Sequence, residues 1–311
     1  MAKTVVVLGA TGIQGGSVAA KFLSLGWKAR GITRNTSSPS TQALSNQSIE
    51  AVSADQDDPT SLVAAFSGAE AIFAVTNFWE PFYRKYEELS KQGDQVAGEY
   101  AAAIEILRGK AIVDAAAKIL QEEGKLERFI WSTLPSFKKL SNGKYSYVYH
   151  FDAKAEVATY LQLKRKALRH VSWLRNRGAD TILKDDGSGE YIYHNASPNI
   201  AEHPFVVPTD AGSLVELLVR SPPKQDLLGV SEAASFATFF EIWGQVTGSK
   251  VTCEEVTVEA HDRARPRGLG REAAESMASS AEFGWGDLVL PKDISSIPCE
   301  MREMFELTCS A

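Results

Sequence analysis

Two spacings in this chain carry chemistry. The first is Gly9-x-x-Gly12-x-x-Gly15, with Gly16 beside it. Gly9 permits a sharp turn out of a strand, and Gly12 lets backbone approach a pyrophosphate. Gly15 or Gly16 lets a helix pack close against a sheet. Backbone N–H groups at Gly12, Ile13 and Gln14 would face phosphates at the positive end of that helix, with Thr11 in the same turn. The second spacing is His150-x-x-x-Lys154. On a helix it places both side chains on one face. An ammonium in such a pair can hold a ribose, while its partner passes a proton. Histidine can do this near neutral pH without a large pKa shift. Tyr149 is one residue off and would point about 100° away on a helix. It could serve if the helix begins only at Asp152, as could Tyr145 or Tyr147 from the preceding loop. The plainer readings are a histidine that caps or packs, and a lysine paired with Glu156 or Asp152.

Other candidates follow from position. After the second strand the chain reads Thr33-Arg34-Asn35. An acidic residue there would hydrogen-bond a ribose 2′-hydroxyl and select NAD. Arg34 can instead pair a 2′-phosphate with its guanidinium fork, which favours NADP (as NADPH). Asp55 and Gln56 follow the third strand and would meet the adenine. Thr76 and Asn77 follow the fourth and would lie beneath the nicotinamide, because ligands bind outside the carboxyl ends of such strands. Ser132, ending the fifth strand, could polarise a carbonyl or imine, or only satisfy local backbone.

The elements that must position these groups are legible in the pattern. Thr4–Leu8 is a continuous, β-branched run suited to a strand buried on both faces. Val18, Phe22 and Leu25 recur at helical spacing and Gly26 ends that helix. Residues 27–33 form the second strand, which completes a βαβ unit. Residues 35–48 read as loop with a short helix, and 49–54 as a strand. Asp58-Pro59 opens a helix to Phe66. Residues 69–76 are a strand and 83–120 largely helical, with Gly93, Gly98 and Gly109 as interruptions. Residues 126–132 are a strand and 152–168 a helix. Beyond His170 the pattern is less regular. It holds a hairpin turning at 185–189, a helix from Asp210 to Arg220, a short strand near 227–230, an amphipathic helix over 234–247 and an edge strand over 251–258. Residues 261–270 read as an exposed loop. The expected fold is α/β, a Rossmann doubly wound parallel sheet with a smaller mixed α+β C-terminal substrate domain. Residues 1–170 would bind NADP, with a returning strand near 227–230, and 171–311 would form the smaller domain.

Composition excludes several classes. Hydrophobic residues make up 44% and charged residues 23%, so the 311-residue chain can build a core and is not disordered. Lys and Arg number 33 against 39 Asp and Glu, a net charge of −6. That balance argues against direct nucleic-acid binding, which needs a basic face. Cys253, Cys299 and Cys309 show no ligand spacing, so no metal site is expected, and free thiols fit a reducing, cytoplasmic setting. No stretch reaches the roughly eighteen apolar residues of a membrane span.

Several segments resemble the NmrA-like family of atypical short-chain dehydrogenases. They are the run from Val6 to Gly16, Arg34, Ala54-Asp55, Thr76-Asn77, Gly109 with Asp114 to Ala116, and His150 to Val157. Pro208 to Gly212, Trp243 to Gly248, Phe283 to Asp287 and Pro291 to Asp293 also look like this family. The resemblance implies a Rossmann domain that binds NADP and a smaller domain forming a cleft over the nicotinamide. It does not imply one activity. Some members reduce a C=O, C=N or conjugated C=C bond of a small molecule, including isoflavone-reductase-like and fungal biosynthetic enzymes of specialised metabolism. Others are cofactor sensors that bind a regulatory protein partner such as a transcription factor. A dehydratase or isomerase retaining the cofactor is a third outcome. Here His170 to Lys184 lacks the proline, aromatic and asparagine with which many relatives close the pocket, so Arg177 or Asp180 could meet a polar substrate.

Overall fold

The computed structural model describes residues 2–164, 168, 171–175, 184–185, 190–207 and 209–285. Through residue 164 strand and helix alternate: β1 (Thr4–Leu8), α1 (Ile13–Ser24), β2 (Lys28–Thr33), α2 (Pro39–Asn46), β3 (Glu50–Ser53), α3 (Pro59–Phe66), β4 (Ala71–Ala74), α4 (Trp79–Leu89), α5 (Val96–Glu123), β5 (Arg128–Thr133), α6 (Phe137–Leu140) and α7 (Tyr149–Lys164). There follow β6 (Val171–Arg175), β7 (Lys184–Asp185), β8 (Glu190–Asn195), β9 (Glu202–Phe205), α8 (Asp210–Arg220), β10 (Asp226–Leu228), β11 (Glu232–Ser235), α9 (Phe236–Thr247), β12 (Lys250–Glu255), α10 (Val258–Ala264) and α11 (Leu269–Phe283).

Seven strands form one parallel sheet in the order β10-β6-β5-β4-β1-β2-β3. Order runs outward from β1 in both directions, which is the doubly wound arrangement, with its switch point between β1 and β4. Val5 to Leu8 of β1 and all of β4 are buried, as a strand covered on both faces must be. On one face Val18 and Phe22 of α1 pack with Val215 and Leu218 of α8. On the other, Phe66 of α3, Ile112 of α5 and Leu161 of α7 form the second core. α1 and α8 touch closely at Gly212, where a Cβ would lie 2.5 Å from the Ser17 carbonyl oxygen.

Beyond the sheet, β12, β8 and β7 form a three-stranded sheet, with β12 at its edge, and β9 pairs β11. Phe236 and Phe240 of α9 and Met277 of α11 pack against Tyr193 of β8. Burial pushes the Cys253 thiol on β12 up to about 11, which suits a packing residue rather than a nucleophile. His203 is buried, between Ser197 and Ser280.

Two expectations are corrected, on the glycines inside α5 and on residues 261–270. Residues 83–120 are largely helical as expected, with the break at Gly93, φ +156°, between the end of α4 at Leu89 and the start of α5 at Val96. Gly98 and Gly109 do not interrupt α5 but let α7 approach it. A Cβ there would meet the Tyr149 ring at 2.4 Å and Val157 at 2.5 Å. Residues 261–270 are not an exposed loop. The Thr257 side chain caps α10, His261 is buried with Nδ1 2.9 Å from the Gly270 carbonyl, and α11 starts at Leu269. The hairpin turn at 186–189, Arg177, Asp180, Cys299, Cys309 and the segment from 286 onward lie outside the described residues.

Candidate functional site

The glycine turn sits at the switch point. Gly9 adopts φ +70°, and the Gly12 N–H donates to its carbonyl at 2.9 Å. A Cβ at Gly15 would lie 2.4 Å from the Gly9 oxygen, and one at Gly12 3.3 Å. Only glycine at position 15 lets α1 start directly over the end of β1. α1 opens with no side-chain cap and no acidic residue in its first turn. The dipole at that end is therefore not already met by a carboxylate. Ile13 is 74% exposed there, a large apolar side chain at the mouth of the turn. Gln14 accepts a hydrogen bond from the Ser132 hydroxyl at 3.0 Å, tying the turn to the end of β5. These features fit a bound pyrophosphate.

Beside the turn lies a cleft of about 300 Å³ at the carboxyl ends of β1, β2 and β3. Gly9, Thr11, Arg34, Asp55, Gln56 and Asn77 line it, so the topology brings these candidates together. One Asp55 oxygen accepts from the Asp57 N–H at 3.0 Å and shapes the turn after β3. Asn77 Oδ1 accepts from the N–H groups of Trp79 and Glu80, which opens α4. The cleft also contains Glu80 and Arg108, which the sequence reading did not single out. The Arg108 fork grips Asp57 at 2.8 and 2.7 Å and donates to Glu80 at 2.8 Å. Its hydrogen bond to Arg108 is the chief reason Asp57 sits below the usual carboxylate range. Burial pushes Glu80 up, but Arg108, Arg84 and Arg34 together leave it lowered.

α7 starts at Tyr149, so His150 and Lys154 share one face of a continuous helix. Lys154 pairs with neither Asp152 nor Glu156, which bond Ser136 and Lys110 instead. The Lys154 side chain is 12% exposed, and its ammonium bonds Glu105 Oε1 and, at 3.2 Å, the Thr76 carbonyl. Glu105 comes from the middle of α5, is fully enclosed, and also accepts from the Thr76 hydroxyl at 2.6 Å. Its Oε2 has no hydrogen-bond partner. The Lys154 backbone carbonyl accepts from Thr133 at 3.1 Å, fixing α7 against β5.

His150 packs against the rings of Phe78, Trp79 and Phe151. Its Nδ1 lies 2.5 Å from Glu272 Oε1, and the same oxygen accepts the His150 N–H at 2.9 Å. Glu272, on α11, is wholly buried, and burial holds its carboxyl well above the ordinary range. Tyr149 faces elsewhere. Its ring lies over Gly98, its hydroxyl accepts from Gln95 at 2.9 Å, and it lines a separate cleft with Asp152 and Glu156. Burial pushes its phenol well up. Tyr145 donates to Glu282, and the Tyr147 ring lies under Arg271.

The sequence named the glycines, Arg34, His150 and Lys154 as candidates and did not name Glu105, Arg108 and Glu272, which the structure sets against them. None of the three had a local signal: Glu105 and Arg108 are two of eight charged residues in α5, and Glu272 lies far from His150 in the chain. Among the described residues no group of three His, Cys, Asp or Glu side chains could hold a metal ion, and no helix is long and apolar enough to cross a membrane.

A doubly wound sheet with a glycine turn at its switch point defines a Rossmann-type α/β protein. More narrowly, the model of the NmrA-like family matches residues 1–305, and the chain belongs to that family. It is 32% identical over 268 residues to the NmrA-like family domain-containing oxidoreductase himF of Aspergillus japonicus, spanning 79% of this chain and 73% of that protein. To the oxidoreductase notA of Aspergillus sp. (strain MF297-2) it is 33% identical over 159 residues, or 51% of this chain and 41% of that one. With three further Aspergillus relatives the match covers 37%, 36% and 40% of their length. Among solved structures, NmrA, a negative transcriptional regulator, in complex with NADP has TM-score 0.66 at 17% identity, covering 99% of this chain and 93% of that one. Quinone oxidoreductase QOR2 of Escherichia coli in complex with NADPH has TM-score 0.64 at 16% identity, over 99% and 96%. At these identities the likeness is one of fold.

Proposed function

We propose that the protein is an NADP-dependent reductase acting on a C=O, C=N or conjugated C=C bond of a small organic molecule. The observation that carries this is the pairing on α7. His150 and Lys154 stand one turn apart, each gripped by a carboxylate from a distant element, next to the end of β4. A nicotinamide would lie there if its pyrophosphate sat on the glycine turn. The oxidoreductase names of the fungal relatives and the NADPH bound to QOR2 support the same reading.

In this mechanism Gly12, Ile13 and Gln14 hold the pyrophosphate, and Arg34 the 2′-phosphate. Asp55 and Gln56 border the adenine. Lys154 has three donors, two of them engaged, and turns the third to a ribose hydroxyl. The bound nicotinamide supplies the hydride. His150 gives a proton from Nε2 to the substrate oxygen or nitrogen. Glu272 and Nδ1 share a second proton across 2.5 Å, and it settles on Nδ1 as Nε2 gives up its own. Ser132, at the end of β5, is held by Gln14 of the glycine turn.

A cofactor sensor that regulates a protein partner has one point in its favour. The NmrA neighbour is a negative transcriptional regulator, and a Lys154 already tied to Glu105 could serve binding alone. The test is NADPH oxidation with a panel of imines, ketones and enals, in wild type and Lys154→Ala. Oxidation by wild type that the variant loses supports the reductase. Tight NADPH binding without turnover of any substrate supports the sensor.

A further inference from the structure

Glu80 is touched by three guanidinium groups. Its Oε1 lies 3.0 Å from Arg84 Nη1 and 3.9 Å from Arg34 Nη1, and its Oε2 accepts from Arg108 at 2.8 Å. The three arginines differ in how they are held. The Arg108 side chain is 8% exposed and gives three of its five N–H groups to Asp57 and Glu80. Arg34 and Arg84 are 56% and 49% exposed, and the acid they share is Glu80 Oε1. Arg84 follows Glu80 by one turn of α4, so the two cations converge from β2 and α4 on one point at the cleft wall. Three arginines thus face Asp57 and Glu80, with Asp55 also in the cleft lining.

From this geometry we propose that Arg84 joins Arg34 in holding the 2′-phosphate of the dinucleotide, and that Glu80 is the internal anion competing with it for both. The inference rests on the NADP reading above and adds two residues to it. A phosphate monoester carries about −1.5 to −2 charges at neutral pH and accepts from several donors at once. Two convergent guanidinium groups suit it better than one. Arg108 keeps Glu80 from swinging away, so its charge stays beside the phosphate. Glu80 thereby lowers affinity for the 2′-phosphate and sets how strongly NADP is chosen over NAD.

The probes are 2′,5′-ADP, which carries the phosphate, and 5′-AMP, which does not. Their affinities are measured by calorimetry on wild type, Arg84→Gln and Glu80→Gln. Arg84→Gln should weaken 2′,5′-ADP about tenfold, the worth of one charge-assisted hydrogen bond. Glu80→Gln should tighten it about threefold or more, as a nearby like charge is removed. AMP should bind all three proteins alike, which also shows that the pocket remains folded. An Arg84→Gln protein that binds 2′,5′-ADP as wild type does overturns the proposal, and so does a Glu80→Gln protein with no gain. If wild type itself does not distinguish the two probes, the NADP reading fails instead.

Discussion

Replacing Glu105 by Gln keeps the shape of the side chain and removes the carboxylate on which Lys154 rests. The pair is enclosed, with side-chain exposures of 0% and 12%. In Glu105→Gln the ammonium would keep the Thr76 carbonyl as a neutral acceptor. Breaking a buried ion pair by removing one partner costs about 3–5 kcal/mol, because the other charge is left uncompensated. Lys154→Met should cost a similar amount, since Glu105 Oε2 already has no hydrogen-bond partner and Oε1 would keep only the Thr76 hydroxyl. Removing both charges relieves both penalties. The double variant should therefore lie within about 1 kcal/mol of wild type, and the coupling energy should be about 3 kcal/mol or more. The assay is urea unfolding of the four proteins at pH 7. Additive single effects, or single costs below about 1 kcal/mol, would show that Lys154 is not locked by Glu105. The positioning role given to α5 would then be wrong.

Three further outcomes test other parts. Gly15→Ala sets a Cβ 2.4 Å from the Gly9 oxygen, and backbone cannot step aside as a flexible side chain can. It should cost about 1–3 kcal/mol in unfolding experiments and abolish NADPH binding. Asp57 has its pKa depressed in the folded state, so its contribution to stability is complete above its unfolded value near 3.8 and is lost as pH falls through the folded value. The deficit of Asp57→Asn against wild type should accordingly shrink between pH 5 and pH 3 in chemical unfolding. Glu272→Gln removes the shared proton behind His150. Turnover should fall about a hundredfold while the NADPH Kd stays unchanged, and equal loss in both would point to a structural role only.

What could be read from the sequence was local. Asp58-Pro59 is a cap and a first-turn proline five positions past the end of β3, and α3 spans Pro59–Phe66 as they imply. The glycine turn works within seven residues of chain. Alternation implied a doubly wound parallel sheet with a returning strand near 227–230, which is β10; that it pairs with β6 came from the structure. The partners of the reactive groups were not legible, because they are distant. Glu105 stands 49 residues from Lys154, and Glu272 stands 122 from His150. Pairings of that kind depend on how helices pack, which here depends on Gly98 and Gly109 letting α7 lie against α5. Residues 257–264 are a different case. Thr257 caps α10 and Glu259 lies in its first turn, a helix start that the alternation of the preceding strand residues ran over.

The account stands most directly on where a hydride goes. The protein should be incubated with NADPH deuterated at the transferable position and the imine, ketone and enal panel, and the products weighed by mass spectrometry. A product one deuterium heavier, with cofactor consumed in equal amount and no transfer in Lys154→Ala, is the predicted result. An unlabelled product with NADPH unconsumed, or tight binding with no product at all, would contradict it.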